Sequence, residues 1–283
     1  MSHYRAELTG VFGDPVDDNP TGIVEEAAFA AMNLNYRYLT IKVLPEDLET
    51  AMSAVRAMNF RGINLTMPHK IRVLPMLDEL SEAAGIIGAV NTVINQNGKL
   101  IGENTDGKGF TASLLKHGIR IEGANILVLG AGGAARAISV ECALAGAGSL
   151  SIANRTEGKA EELAALIREK TKVNSAAFGW NPGLKIPENT DILINATSIG
   201  LMPDADSKPA LDYSTVREDM TVADVVFNPS DTLFLKTARE HGAGTISGIG
   251  MLVQQAALNF TLWTGERAPV EVMYDTLKKE FEQ

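Results

Sequence analysis

The sequence predicts an α/β protein of two domains, on three observations. The chain has 283 residues, more than one α/β domain comfortably holds. Short apolar runs alternate with amphipathic stretches throughout, the signature of strand–helix–strand units and parallel sheet. A second such series then opens at "NILVLGAGGAARAISVECALAGAG", residues 125–148.

The first series runs through the strand "LTGVFG", a helix at 22–33, the strand "YRYLTIKV", a helix at 45–58 and the strand "GINLTM". The helix at 45–58 places Leu48, Met52, Val55 and Met58 at helical spacing, with Pro45, Glu46 and Asp47 suited to its start. In "GAVNTVINQNGKLIGENTD" β-branched residues flank Asn97-Gly98, a hairpin signal. A boundary falls near residue 107. The second series continues through "SLSIANRT", a helix with Ala160, Leu163, Ala164 and Ile167 on one face, "TDILINATS" and "MTVADVVF". The segment "GTISG" and the helical patterns at 249–263 and 269–281 lack a strand partner of their own. The expected division is therefore 1–106 with 244–283 as one domain and 107–243 as the other.

Composition excludes several classes. The net charge of −10 repels polyanions, so no nucleic-acid partner is expected. The single cysteine, Cys142, lies in an Ala-rich helical pattern, forms no internal disulfide and reads as a small buried residue in a reducing compartment. The first residues, "MSHYRAELTG", lack the basic start and apolar run of a signal peptide, and no window approaches 18 apolar residues, so no membrane partner and a cytoplasmic location are expected. No metal site is assigned.

Residues 126–135, "ILVLGAGGAA", set a buried-strand pattern before Gly130, Gly132 and Ala135 in the GxGxxG/A arrangement, with a helix behind. Gly130 permits the tight turn and Gly132 lets backbone approach a pyrophosphate. Ala135 allows close packing, and the helix N-terminus offers free N–H groups. The second domain is thus a dinucleotide-binding Rossmann domain. At the end of its next strand an NAD enzyme usually carries Asp or Glu for the ribose 2′-hydroxyl. Here stand Asn154, Arg155 and Thr156, with Lys159 one turn on, which suits a 2′-phosphate and favours NADP.

Three polar clusters in the first domain, "NLTMPHK", "GAVNT" and "GENTDGKG", lie at ends of predicted elements. Each alone reads equally as a turn, Lys70 as a solvated first-turn residue after Pro68 and Asp106 as a helix cap. Beside a nicotinamide domain, a lysine and a carboxylate have a joint task, since oxidising an alcohol by hydride transfer also moves the hydroxyl proton. Lys70 serves as that acid/base group if burial lowers its pKa, and Asp106 orients it.

The ordered motifs "GINLTMPHK", "GAVNT", "GENTDG", "GAGGAARA", "NRTEGK", "NATSIG" and "GIGMLVQQAA" resemble the shikimate dehydrogenase family, including its quinate/shikimate branch, over nearly the whole chain. The resemblance implies a substrate domain split between the N-terminal half and the last helices around an NADP-binding Rossmann domain. It implies reversible hydride transfer between NADP(H) and a ring hydroxyl of shikimate, with 3-dehydroshikimate as the ketone, and leaves a homodimer open. Lys70 and Asp106 match the family's catalytic pair, and Thr66, Asn91 and Gln255 its ligands for ring hydroxyls and carboxylate. Gln254 is of the same type as Gln255 but points about 100 degrees away on a helix. The cofactor loop maps to Gly130, Ala131, Gly132, Gly133 and Ala134, and the adenosine-phosphate clamp to Asn154, Arg155, Thr156 and Lys159. Val225, Gly248 and Met251 match positions near the nicotinamide.

Two departures stand out. Where the family usually shows Ser-x-Ser to hold a substrate carboxylate, this chain has Asn19, Pro20 and Thr21, with Asp17 and Asp18 beside them. Phe227 replaces a tyrosine that commonly contacts substrate. These point to a quinate or other cyclic-polyol dehydrogenase with weak shikimate activity as an alternative. Methylenetetrahydrofolate dehydrogenase, which also joins a lysine to a Rossmann domain, is opposed by "GENTDG" and "NRT"; a non-catalytic NADPH-binding regulator would need neither Lys70 nor Asp106.

Overall fold

The computed structural model describes residues 4–281. The chain forms two compact units, one of Met1–Thr105 with Val253–Gln283 and one of Asp106–Leu252.

The first unit opens with β1 (Glu7–Gly13), α1 (Thr21–Ala31), β2 (Tyr36–Lys42), α2 (Leu48–Ala57) and β3 (Gly62–Leu65). There follow α3 (His69–Arg72), β4 (Glu79–Leu80), α4 (Glu82–Ile87), β5 (Thr92–Gln96) and β6 (Lys99–Glu103). The six strands form one sheet in the order β2-β1-β3-β5-β6-β4. β1 is parallel to β2 and β3, whereas β5 is antiparallel to both β3 and β6. Asn97 and Gly98 join β5 to β6 with φ of 54° and 94°, the left-handed pair that a two-residue hairpin needs. Phe12, Leu48, Met52, Val55, Phe60, Ile63 and Val93 are core residues here. Met58, expected on the same face of α2, instead caps its C-terminus and is 59% exposed, because the helix ends one residue earlier.

The second unit contains nearly all of α5 (Thr105–Lys116), then β7 (Asn125–Leu129), α6 (Gly133–Leu144), β8 (Ser149–Asn154), α7 (Glu157–Thr171) and β9 (Asn174–Gly179). β10 (Ile192–Asn195), β11 (Thr221–Asp224), α8 (Leu233–Glu240) and β12 (Gly244–Ile246) complete a sheet of order β12-β11-β10-β7-β8-β9. Renumbered from its own first strand this is the 3-2-1-4-5-6 arrangement of a doubly wound Rossmann fold, and every pairing is parallel. The central strands β7 and β10 are buried on both faces, which is why "ILVL" and "DILIN" read as continuous apolar runs.

The segment "GTISG" does have a partner: Thr221–Ala223 of β11 pair with Gly244–Ile246. This pairing, and the first turn of α9 (Gly248–Thr264), keep residues 244–252 in the second unit, whereas the sequence assigned them to the first. The other division falls at 105/106, one residue before the expected place. The rest of α9 and α10 (Val270–Phe281) belong to the first unit. There Phe260 stacks on Phe29 with centroids 5.5 Å apart, Trp263 Nε1 donates to the Val93 carbonyl at 3.1 Å, and α10 packs against α1 through buried Met273 and Leu277. Each fully buried apolar side chain of this size contributes about 1.5–3 kcal/mol relative to exposure.

Candidate functional site

In the first unit the strand directions gather the polar clusters at one sheet edge. The C-terminal ends of β1, β3 and β6 and the N-terminal end of β5 coincide there. The connections leaving that edge carry Asn19 and Thr21, then Thr66 and Lys70, then Asn91, then Asn104 and Thr105. Lys70 lies on α3, directly behind Pro68, and both it and Thr66 are half-buried. His69 is wholly buried and its Nε2 meets the Val43 carbonyl at 2.8 Å, which pins the short helix that presents Lys70.

Asn91 is buried, and much of its amide is engaged within the protein. Its Oδ1 accepts the Thr105 backbone N–H at 2.7 Å, and its Nδ2 donates to Thr105 Oγ1 at 3.0 Å. Asn259 on α9 accepts from Thr92 and Thr105 at 2.8 and 2.9 Å. Asn64 Nδ2 donates to Thr92 Oγ1 at 3.0 Å, and the Tyr38 hydroxyl donates to Asn64 Oδ1 at 2.8 Å. This satisfied network fixes Thr105, where α5 begins, and so the first-turn position of Asp106. Gln255 stands one turn before Asn259 on the same face of α9, whereas Gln254 is rotated off that face.

Tyr38, Asn64, Thr92 and Asn259 are absent from the expected site, although "NLTMPHK" and "GAVNT" adjoin or contain two of them. Polar residues inside otherwise apolar strands were the available signal. At α1, Asn19 Oδ1 accepts the Thr21 backbone N–H at 3.0 Å, so the asparagine is engaged with the helix start. Asp17 and Asp18 are exposed.

The second unit carries the nucleotide cradle at the C-terminal ends of β7, β8, β10 and β11, where doubly wound sheets bind ligands. A cavity of about 470 Å³ is lined by Gly130 to Ala134, Asn154, Ala196 to Ser198, Leu201 and Val225 to Phe227. Gly130 has φ of +107°, and a Cβ there would stand 2.9 Å from the Ala196 carbonyl oxygen. Gly132 is the N-cap of α6 with no side-chain cap, and a Cβ on it would meet no protein atom within 4 Å. A bare helix N-terminus with open space before its backbone fits a pyrophosphate. Ala135 is fully buried against the sheet. Arg155, Thr156 and Lys159 are exposed at the start of α7, and Asn154 Nδ2 donates to the Thr156 carbonyl at 2.9 Å, shaping that turn. Two cations placed where a helix dipole opposes them fit a phosphate-bearing adenosine.

Behind Val225–Phe227, buried Asp224 accepts from the Val226 N–H at 3.0 Å, Asn195 Nδ2 at 2.9 Å and the Thr232 hydroxyl at 2.7 Å. Burial, the dominant effect, pushes its carboxyl up to about 6. Gly248 abuts the same loop, since a Cβ on it would overlap the carbonyl oxygens of Val225 and Val226, and Met251 follows one turn on, half-buried. Thr197, Ser198 and Leu201 also line this cavity and are not among the expected site residues, although Thr197 and Ser198 lie within "NATSIG".

A Rossmann unit with a bare phosphate cradle and a cationic clamp, on a chain whose other unit gathers a lysine, hydroxyls and amides at one sheet edge, defines a nicotinamide-dependent oxidoreductase. Family profiles agree: residues 11–93 match the shikimate dehydrogenase substrate binding domain, 113–202 match shikimate/quinate 5-dehydrogenase, and 248–278 match the shikimate 5′-dehydrogenase C-terminal domain. The chain is 41% identical to the shikimate dehydrogenase (NADP(+)) of Desulforamulus reducens, covering 99% of each. It resembles the crystal structure of ligand-free 5-ketofructose reductase of Gluconobacter sp. strain CHM43 with a TM-score of 0.96 and 45% identity, over 99% of this chain and 100% of that one. It matches a shikimate dehydrogenase solved with NADP+ with a TM-score of 0.91 and 39% identity, over 100% and 98%. The chain belongs to the shikimate dehydrogenase family.

Proposed function

We propose that this protein is an NADP-dependent dehydrogenase that interconverts a ring hydroxyl of shikimate and the ketone of 3-dehydroshikimate. The observation that carries this is the uncapped Gly132 start of α6 beside the exposed Arg155 and Lys159, in a chain related over its full length to NADP-dependent shikimate dehydrogenases. When bound, NADP(H) supplies or takes the hydride. Gly130 to Ala134 hold the pyrophosphate, Asn154, Arg155, Thr156 and Lys159 the adenosine phosphate, and Val225, Gly248 and Met251 border the nicotinamide. Lys70 moves the hydroxyl proton and Asp106 orients it. Thr21, Thr66, Asn91, Gln255 and Asn19 hold the other oxygens of the substrate, with Phe227 as an apolar wall.

A second reading, a dehydrogenase of quinate or of a polyol without a carboxylate, rests on Asn19 and Thr21 and on the 45% identity to a 5-ketofructose reductase. A non-catalytic NADPH-binding regulator would need neither Lys70 nor Asp106, and both are retained. A cytoplasmic location and a homodimer accompany this reading; among the described residues no helix is long and apolar enough to cross a membrane. The test is a steady-state comparison of shikimate, quinate, aminoshikimate and carboxylate-free cyclitols with NADP and NAD. The highest specificity constant for shikimate with NADP supports the first reading, and for a cyclitol the second.

A further inference from the structure

Gly13 ends β1 with a glycine that the backbone there does not require. It is buried, in a strand, with φ outside the left-handed range. Glycine weakens a strand and commonly marks a place where another group approaches closely. Here that group is the Thr66 side chain: a Cβ on Gly13 would stand 2.3 Å from Thr66 Cγ2, against 3.4–4 Å for ordinary contact. The same Cβ would lie 3.2 Å from Val16 Cβ and 3.3 Å from the Pro15 carbonyl oxygen, in the loop that leads to Asn19 and Thr21. The Thr66 methyl therefore rests in the space that a side chain on Gly13 would fill.

Both backbones are held in place. On one side of Gly13 the Thr66 N–H donates to the Phe12 carbonyl at 3.0 Å, and on the other the Asp14 N–H donates to the Met67 carbonyl at 2.9 Å. The Gly13 carbonyl accepts the Val43 N–H at 3.1 Å, and the Thr66 carbonyl accepts the His69 N–H at 2.8 Å, where α3 begins. These bonds stitch the ends of β1 and β3 together and leave the Thr66 side chain only its rotation about χ1. Threonine is branched at Cβ, so that rotation is confined to staggered positions. Because its Cβ is chiral, seating the methyl on Gly13 also sets the hydroxyl, about 120° away round the same bond. A side chain on Gly13 would displace Cγ2 and turn the hydroxyl to another staggered position.

We infer that Gly13 is a positioning residue: its bare α-carbon seats the Thr66 methyl and thereby aims the Thr66 hydroxyl at the substrate. The assignment rests on the reading above in which Thr66 holds a substrate oxygen, and deepens it by naming what selects the rotamer. It also accounts for threonine rather than serine at this place, since serine has the hydroxyl without the methyl that anchors it.

The experiment compares steady-state oxidation of shikimate with NADP by the wild-type protein, Thr66→Val, Thr66→Ser, Gly13→Ala and the double variant Gly13→Ala/Thr66→Ser. Thr66→Val keeps the shape and removes the hydroxyl; Thr66→Ser keeps the hydroxyl and removes Cγ2. Gly13→Ala is expected to raise the Michaelis constant for shikimate about five- to tenfold, the effect of misdirecting one hydrogen bond, with that for NADP unchanged. Added to Thr66→Ser, the same substitution is expected to change it less than about twofold, because the methyl it collides with is gone. A merely structural glycine would cost the same in both backgrounds, and that result overturns the assignment. If Gly13→Ala does not fold, the double variant decides: folding with a Michaelis constant within about twofold of that of Thr66→Ser supports the assignment, and failure to fold overturns it. An unchanged Michaelis constant in Thr66→Val overturns the reading that Thr66 holds a substrate oxygen, and the role of Gly13 with it. No reduction of NADP by the wild-type protein with shikimate overturns the shikimate reading and this assignment together.

Discussion

Asn195 at the end of β10 donates its side-chain N–H to Asp224 at the end of β11 across 2.9 Å, tying together two strands whose following loops line the nucleotide cavity. With the Val226 N–H and the Thr232 hydroxyl, the contact holds Val225–Phe227 in place. Asp224 is thus part of the cavity's support and also a titrating group. Its folded-state pKa, about 6, is raised above the ordinary 3.8. A raised pKa means that the folded protein binds the proton more tightly, so this contribution to stability is fully present below 3.8 and is lost as pH rises through 6. About two pKa units correspond to about 3 kcal/mol. Asp224→Asn is expected to abolish that contribution. The difference in unfolding free energy between wild type and variant should therefore shift by about this amount between pH 4 and pH 7, read by denaturant titration at the two values. A constant difference would show that Asp224 does not titrate there.

Lys70→Ala is expected to lower turnover by about two to four orders of magnitude, the range for loss of a general acid or base, while the dissociation constant of NADPH stays nearly constant. Stopped-flow turnover and fluorescence titration of NADPH on the same preparation separate the two. Unchanged turnover would remove Lys70 from the proposed chemistry.

On the proposed reading, the cation pair at α7 distinguishes NADP from NAD. Loss of a hydrogen bond to a charged group costs about 1.5–3 kcal/mol. Arg155→Ala is therefore expected to weaken NADP binding about 10- to 100-fold, and Lys159→Ala less, while NAD binding changes little. Calorimetric titrations with both dinucleotides measure the ratio.

The two cradle glycines should fail in different ways. Gly130→Ala forces a side chain into the left-handed region, 2.9 Å from the Ala196 carbonyl oxygen, and is expected to lower the melting temperature. Gly132→Ala meets open space within the protein and should keep the melting temperature while weakening NADP binding. Equal losses of stability would contradict the open approach at Gly132.

Cys142 is expected to resist alkylation in the native protein. It is wholly buried in α6, and burial, followed by the nearby Glu141, pushes its thiol up to about 12. Thiolate is the reactive form, so labelling with iodoacetamide at neutral pH should appear only on unfolding.

The parts legible in the sequence were those governed by local rules. The glycine loop between a buried strand and an Ala-rich helix, and the Asn97-Gly98 turn, each need a backbone that few residues provide. What stayed hidden depended on distant partners. The strand Gly244–Ile246 is three residues long and half-exposed, so no apolar run announces its pairing with β11. Asn64, Thr92 and Asn259 are polar residues in apolar elements, and only the fold shows that they satisfy one another. Glu25, wholly buried, had a signal: with Thr21, Val24 and Ala28 it sits on the buried stripe of α1, where spacing alone argues against a solvated acid. The pair Glu25-Glu26 reads as two surface charges unless the helical phase is followed.

The first unit is assembled from both ends of the chain. During synthesis its six-stranded sheet emerges early, yet Phe29 lacks Phe260, the Val93 carbonyl lacks the Trp263 indole and Thr92 lacks Asn259 until the last thirty or so residues leave the ribosome. The Rossmann unit, continuous in sequence from Asp106 to Leu252, has all its strands before then. The part made first is therefore finished last: while residues 253–283 are being added, the nascent chain already holds every strand of the nucleotide fold and still lacks the helices that complete the substrate fold.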